Sequence, residues 1–204
     1  MERRLRRRRA VVTAHSWSEA PPGFVYRAEF VPEAEAAALV ERIGKLPFSD
    51  VRMRGMVARR RVVHFGWRYG YESWRIERGR PMPDFLLPLR ARAGTLAGVE
   101  PDQLAEVLVT VYPPGAGIGW HRDAPMFGEV VGVSFLAPCR FRFQRGKAPA
   151  RETCEVTLEP RSAYLLSGPA RTVWQHAIPP TRALRYSVTF RTLRAAGGGR
   201  AGVG

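Results

Sequence analysis

At 204 residues, 45% hydrophobic and 25% charged, the chain has the size and composition of one globular domain whose core needs no metal or disulfide staples. This excludes a disordered chain, and no apolar run approaches the roughly 20 residues that span a bilayer, so a soluble, cytoplasmic protein is expected. The net charge of +15 favours a polyanionic partner, above all nucleic acid, although arginine usage of this kind also follows from a GC-rich genome.

Residues 1–20 open with six arginines and one Glu in the first nine positions. So dense a block of like charge repels itself, which predicts a disordered basic tail able to track phosphates. A single domain is expected over 21–194, followed by a flexible glycine-rich end at 195–204. Phe24 to Phe30 reads as a strand. Beyond Pro32, the acidic pair Glu33 and Glu35 opens a helical pattern running through Ala38, Leu39 and Ile43. Arg59 to Tyr69 reads as a strand or hairpin arm with Val63, Phe65 and Trp67 on one face. Asp84 to Ala97 reads as a second helix, which requires Pro88 to fall in its first turn.

From Leu104 onward short β-rich runs follow one another: Glu106 to Tyr112, Val130 to Leu136, Arg140 to Gln144, Thr153 to Leu158, Ser162 to Leu166 and Ala183 to Leu193. Most are separated by stretches containing Gly or Pro. Together with the helices they predict an α+β fold built on a double-sheet jelly roll or barrel. Cys139 and Cys154 are too few for a secreted disulfide scaffold and read as reduced thiols.

His121 and Asp123 are two residues apart. On an extended segment they point to the same side and offer an imidazole and a carboxylate to one ion. With a third ligand from His176, they would make the facial triad of a non-haem Fe(II) oxygenase, with open positions. His-x-Asp also arises by chance, and a lone His is more often a core or surface group. The chain has only four histidines, which makes two in suitable places more informative. In Arg185 to Arg191 the polar residues Arg185, Ser187, Thr189 and Arg191 share one strand face, opposite Tyr186, Val188 and Phe190. Converging guanidinium forks suit a small dicarboxylate. A solvated strand face would show the same alternation.

Taken in order, Tyr112-Pro113-Pro114-Gly115-Ala116-Gly117-Ile118, then His121 and Asp123, then His176, then Arg185 and Arg191 resemble the AlkB family of iron- and 2-oxoglutarate-dependent oxygenases, over roughly residues 104–194. The resemblance implies a double-stranded β-helix (jelly roll) core, with N-terminal helices and strands forming a substrate lid at about 50–80. It implies oxidative dealkylation: Fe(II) and 2-oxoglutarate activate O2, succinate and CO2 are released, and an N-alkyl carbon is hydroxylated and leaves as an aldehyde. It assigns iron to His121, Asp123 and His176, the distal carboxylate of 2-oxoglutarate to Arg185 with Tyr112, and the keto-acid end near the metal to Arg191. It also implies a monomer acting on alkylated DNA or RNA.

Three positions depart from the family pattern. Thr110 stands where some members, and Ser187 where many members, carry Asn near the co-substrate, and hydroxyls can partly replace those amides. Pro125 stands where several members carry an acidic residue that touches the target base, so base recognition must differ. Substrate selection then falls to the N-terminal half. Arg59 to Tyr69 interleaves basic and aromatic residues, either as a phosphate track with stacking platforms, in which His64, Phe65 and Trp67 contact a base, or as an amphipathic strand with its aromatics packed inward. Trp120 either lines the cleft or belongs to the core. Three functions stay open: a nucleic-acid dealkylase, an oxygenase of the same fold acting on a protein side chain or small molecule, and a non-enzymatic basic nucleic-acid-binding module.

Overall fold

The structure, a computed structural model, describes residues 20–194 except 54 and 71–74. Apart from Ala20, the expected N-terminal tail lies outside the described residues, as does the expected C-terminal tail.

The N-terminal half supplies β1 (Phe24–Arg27), α1 (Glu33–Gly44), β2 (Ser49–Met53), β3 (Met56–Gly70), β4 (Arg75–Arg78) and α2 (Leu87–Ala97). β1 ends before the expected Phe30 because the chain turns at Glu29, whose φ is +52°. In α1, Glu33 and Glu35 occupy the first turn and Arg42 the last, each complementing the helix dipole, while Ala36, Leu39 and Ile43 are buried at helical spacing. A 3-10 turn, Asp84–Leu86, leads into α2. Pro88 falls in the first turn of α2, where its missing N–H is harmless, and Gly98 ends the helix in the left-handed conformation. Arg92 on α2 grips both carboxylate oxygens of Glu35 on α1.

The second half supplies β5 (Leu104–Tyr112), β6 (Ile118–His121), β7 (Phe127–Leu136), β8 (Cys139–Arg145), β9 (Glu152–Leu158), β10 (Ala163–Leu166), α3 (Gly168–Thr172), β11 (Gln175–Ile178) and β12 (Arg185–Leu193). The larger antiparallel sheet runs β1-β10-β7-β12-β5-β3-β2, with β4 paired to the far end of β3; the smaller runs β6-β11-β8-β9. β5 to β12 wind back and forth between the two sheets, which is the expected jelly roll. β2, β4, β6, β11 and α3 were not expected as separate elements.

Two cores flank the larger sheet. On its outer face Val63, Phe65, Val109, Val133, Val188 and Phe190 pack against Leu39, Ile43 and Leu89 of the helices. Between the sheets Phe141, Phe143, Leu158, Tyr164 and Trp174 form the second core. β3 pairs with β5 as far as Gly66 and with β4 from Trp67 onward. Gly66 permits that change of partner: its φ is +78°, and a Cβ there would lie 2.1 Å from the Ala105 carbonyl oxygen. β2 to β4 thereby extend the sheet past the jelly roll and form a wall beside its open mouth. Both cysteines are free. Among the described residues no helix is long and apolar enough to cross a membrane.

Candidate active site

β6 and β11 pair so that His121 lies directly opposite His176. Between that pair and Ile118↔Ile178, β6 carries one extra residue. This bulge lets Ile118 and His121, three apart, both line the cleft. The two imidazole rings stand 4.3 Å apart at 62°. His121 donates from Nδ1 to the Gly119 carbonyl at 2.8 Å, which leaves Nε2 as its free lone pair. Nε2 of His176 lies 3.7 Å from Asp123 Oδ2. Burial lowers the pKa of both rings, and with the neighbouring His121 it brings that of His176 down to about 3. Both are neutral near pH 7, the state in which imidazole binds metal.

Burial alone would raise the pKa of the Asp123 carboxyl. Arg191, His176 and His121 outweigh it and hold that pKa well below the usual carboxylate range. Arg191 donates to Asp123 Oδ1 from Nε at 3.1 Å and Nη2 at 2.7 Å, so Oδ2 is the oxygen turned toward His176. Its third nitrogen, Nη1, donates to Glu106 at 2.8 Å. The other Glu106 oxygen faces His64 Nδ1 at 3.0 Å. The loop after Asp123 is pinned by Arg171 of α3, buried and donating to the carbonyls of Ala124, Phe127 and Gly128 at 2.7, 2.8 and 3.0 Å.

The donors suit one divalent ion: two neutral imidazoles and a carboxylate oxygen converge from adjacent segments and leave one side to the cleft. Donors each about 2.1 Å from one ion at right angles stand roughly 3 Å apart, slightly closer than His176 and Asp123 do here. Among the described residues no group of three His, Cys, Asp or Glu side chains stands close enough together to hold an ion as placed.

The polar face of β12 turns inward, and Arg185, Ser187, Thr189 and Arg191 are all buried. Ser187 lies directly across from Thr110 on β5, so the two hydroxyl departures from the family pattern are neighbours. Arg185 pairs with Tyr112, and its guanidinium sits 5.1 Å over that ring. Arg185 is fully buried and donates from Nη2 to Ser134 at 2.8 Å, whereas Nε and Nη1 have no partner. A buried guanidinium with two unmatched nitrogens is what a carboxylate would satisfy. Arg191, by contrast, has every nitrogen on a carboxylate, so it serves the metal end primarily by clamping Asp123.

The triad and the β12 hydroxyls open into a cleft of about 860 Å³, whose lining does not include the fully buried Arg185. The triad, Tyr112, Thr110, Ser187, Thr189 and Tyr164 line its floor; β2, β3 and the segment around β4 line its wall with Arg52, Arg60, Arg78 and Arg80, against Asp50 and Glu77. Of the expected base contacts only His64 lines the cleft. Phe65 is 5% exposed in the outer core, since β3 alternation that turns His64 to the cleft turns Phe65 away. Trp67 is exposed and contacts Arg78, and Trp120 lies under Arg142 at 5.3 Å; neither reaches the cleft. Sequence reasoning missed Glu106, Tyr164 and Arg171. Glu106 shares the parity of Thr110 and Tyr112 along β5, which was the available signal for an inward carboxylate. Arg171 offered none, because its partners are backbone carbonyls more than forty residues away.

A sequence profile of the 2OG-Fe(II) oxygenase superfamily matches residues 23–200. The chain belongs to that superfamily. This oxygenase therefore uses Fe(II) and 2-oxoglutarate with O2, and it is AlkB-like. It is 28% identical over 172 residues to the mouse tRNA (carboxymethyluridine(34)-5-O)-methyltransferase ALKBH8, covering 79% of this chain and 25% of that protein. It is 27% identical over 182 residues to the Arabidopsis thaliana alkylated DNA repair protein ALKBH8 homolog, covering 78% and 51%. With the zebrafish (Danio rerio) probable RNA/DNA demethylase ALKBH6 it shares 29% over 114 residues, covering 55% and 46%. The oxygenase thus spans about a quarter to a half of the length of these relatives. In fold it is similar to OsALKBH1, with a TM-score of 0.67 at 16% identity, covering 85% of this chain and 98% of that one. A Pseudomonas putida prolyl-4-hydroxylase matches with a TM-score of 0.59 at 15% identity, covering 84% and 93%.

Proposed function

We propose that this oxygenase removes alkyl groups oxidatively from the ring or exocyclic nitrogens of nucleobases in DNA or RNA. The observation that carries the reading is the wall of four arginines beside the triad, which suits a phosphate backbone delivering an unstacked base into the cleft. The naming of relatives for tRNA modification, alkylated-DNA repair and demethylation supports the same substrate class.

In this reading His121, Asp123 and His176 hold Fe(II), with Nε2 of each ring and Oδ2 of the carboxylate as donors. Bound Fe(II) and 2-oxoglutarate supply the O2 activation that hydroxylates an N-alkyl carbon, with succinate, CO2 and an aldehyde as the other products. The protein's own groups bind and orient. Arg185 takes the distal carboxylate on its unmatched nitrogens, and Tyr112, kept neutral by burial, lies against it. Thr110 and Ser187 line the cleft and would contact the co-substrate there. Arg191 fixes Asp123, and Arg171 fixes the loop that follows it.

The test is succinate formation with Fe(II), 2-oxoglutarate and O2 across methylated and etheno-bridged DNA and RNA oligonucleotides, with His121→Ala as the blank. Stimulation by one class of lesion, absent in the blank, is expected. Turnover indifferent to every oligonucleotide would move the substrate to another class of molecule.

A further inference from the structure

Four side chains form one hydrogen-bonded line from the metal end of the site to the lid: Asp123, Arg191, Glu106 and His64. Glu106 is 1% exposed, and both its oxygens are engaged, one by Arg191 Nη1 at 2.8 Å and the other by His64 Nδ1 at 3.0 Å. A guanidinium can only donate and a carboxylate can only accept. The proton of the neutral His64 ring must therefore sit on Nδ1, where it donates to Glu106, and Nε2 is left as an acceptor. His64 is 31% exposed at the side chain and lines the cleft. His64 and the triad line the same cleft, which in the nucleobase reading holds the base.

We propose that His64, with its tautomer set by Glu106, is a hydrogen-bond acceptor that selects nucleobases presenting an N–H to the lid wall of the cleft. The proposal rests on the nucleobase reading above and adds a rule to it: alkylated bases that keep an exocyclic amino group are preferred over those whose edge offers only carbonyl acceptors. Glu106 is a positioning residue in this arrangement. It touches no substrate, yet it decides which way the hydrogen bond at His64 runs. Pro125, which stands exposed on the loop after Asp123, has no side-chain group that could take over this role.

The same geometry specifies how to reverse the preference. In Glu106→Gln the amide oxygen must stay on Arg191, because turning the amide the other way sets its N–H against a guanidinium N–H. The amide nitrogen then faces His64 Nδ1 and donates to it, which moves the imidazole proton to Nε2. His64 becomes a donor toward the cleft, in a side chain of the same size and with the Arg191 clamp on Asp123 intact.

Two measurements on the full chain test this. The first is 15N NMR of the His64 ring, which reports the tautomer without any substrate. It should show the proton on Nδ1 in the wild type and on Nε2 in Glu106→Gln. The second compares kcat/KM for matched oligonucleotides carrying 3-methylcytosine or 3-methyluracil, which share a ring and an alkylated nitrogen and differ in an amino donor or a carbonyl acceptor at C4. The wild type should favour 3-methylcytosine by on the order of tenfold to a hundredfold, the usual effect of mispairing one buried polar group, and Glu106→Gln should reverse the ratio. A proton on Nε2 in the wild type would overturn the proposal, as would a substrate ratio unmoved by a demonstrated tautomer change. Turnover of neither oligonucleotide by the wild type, with succinate still formed on another substrate, would remove the nucleobase reading and this selection rule with it. Equal turnover of both oligonucleotides in both proteins would remove the selection rule alone.

Discussion

Arg191 stands between two buried carboxylates, donating to both, and holds the Asp123 carboxyl ionised without bulk water. Its side chain is buried, and the two acids raise its pKa above the ordinary arginine value although burial acts against that. Replacing it by Met leaves Asp123 and Glu106 as uncompensated neighbouring charges. Removing one member of such a buried network is expected to destabilise the protein by about 3–5 kcal/mol, measured by urea unfolding of the metal-free protein. Arg191→Lys keeps the charge but loses the fork, and one ammonium cannot satisfy Asp123 Oδ1 twice and Glu106 as well. Its expected signature is a smaller stability loss with a clear fall in Fe(II)-dependent turnover, since Asp123 Oδ2 is no longer aimed at His176. A Met variant as stable as the wild type would show that the network contributes nothing to folding.

At the scale of elements, the cleft floor depends on one bare position in β7. Gly132 pairs with Tyr164 of β10, and a Cβ there would lie 2.2 Å from the Tyr164 ring. The absent side chain is what lets that ring lie across the strand and line the floor. Gly132→Ala is expected to destabilise by about 1–3 kcal/mol through overpacking. Tyr164→Phe should not rescue it, because the clash is with ring carbons, whereas Tyr164→Leu should recover part of the loss in a double-mutant cycle read by thermal unfolding. Equal effects of Gly132→Ala with and without Tyr164→Leu would place the strain elsewhere. The same element shows what a sequence can and cannot disclose. β7 and β12 are long apolar or strictly alternating runs, and their existence, their faces and the triad residues near them were legible. β6 and β11 are four residues each and are held by pairing with neighbours more than by their own propensity, so in the sequence they look like connections. The bulge that lets Ile118 and His121 share a face, and the register that sets Thr110 against Ser187, are properties of pairing between distant segments and have no local signature. Period-two counting gives Phe65 and Trp67 a shared face, but Gly66 twists β3 between them, which leaves one in the core and the other in water.

For the whole molecule, the net charge of +15 becomes informative only when its distribution is considered. Arginine scattered over a surface gives weak, diffuse attraction, whereas arginine gathered on one wall of a cleft neutralises phosphates along a path and releases their counterions. Arg52, Arg78 and Arg80 are exposed on that wall. If they track a backbone, replacing all three by Gln should lower the magnitude of the slope of log K against log salt concentration by about 3 for a duplex, or about 2 for a single strand. Fluorescence anisotropy of a labelled oligonucleotide across a salt series measures both slopes. Affinity should fall by a similar factor for alkylated and unmodified strands, because phosphate contacts position the chain without reading the base. The competing source of positive charge is the arginine block at residues 3–9, whose removal would change the slope in its place if the backbone ran there. A triple variant with an unchanged slope, beside a truncation that flattens it, would take the phosphate path away from the lid and leave the wall as a solvated face. A triple variant with the flatter slope would fix the direction from which the nucleic acid enters, across β2 and β4 toward His64 and the paired histidines.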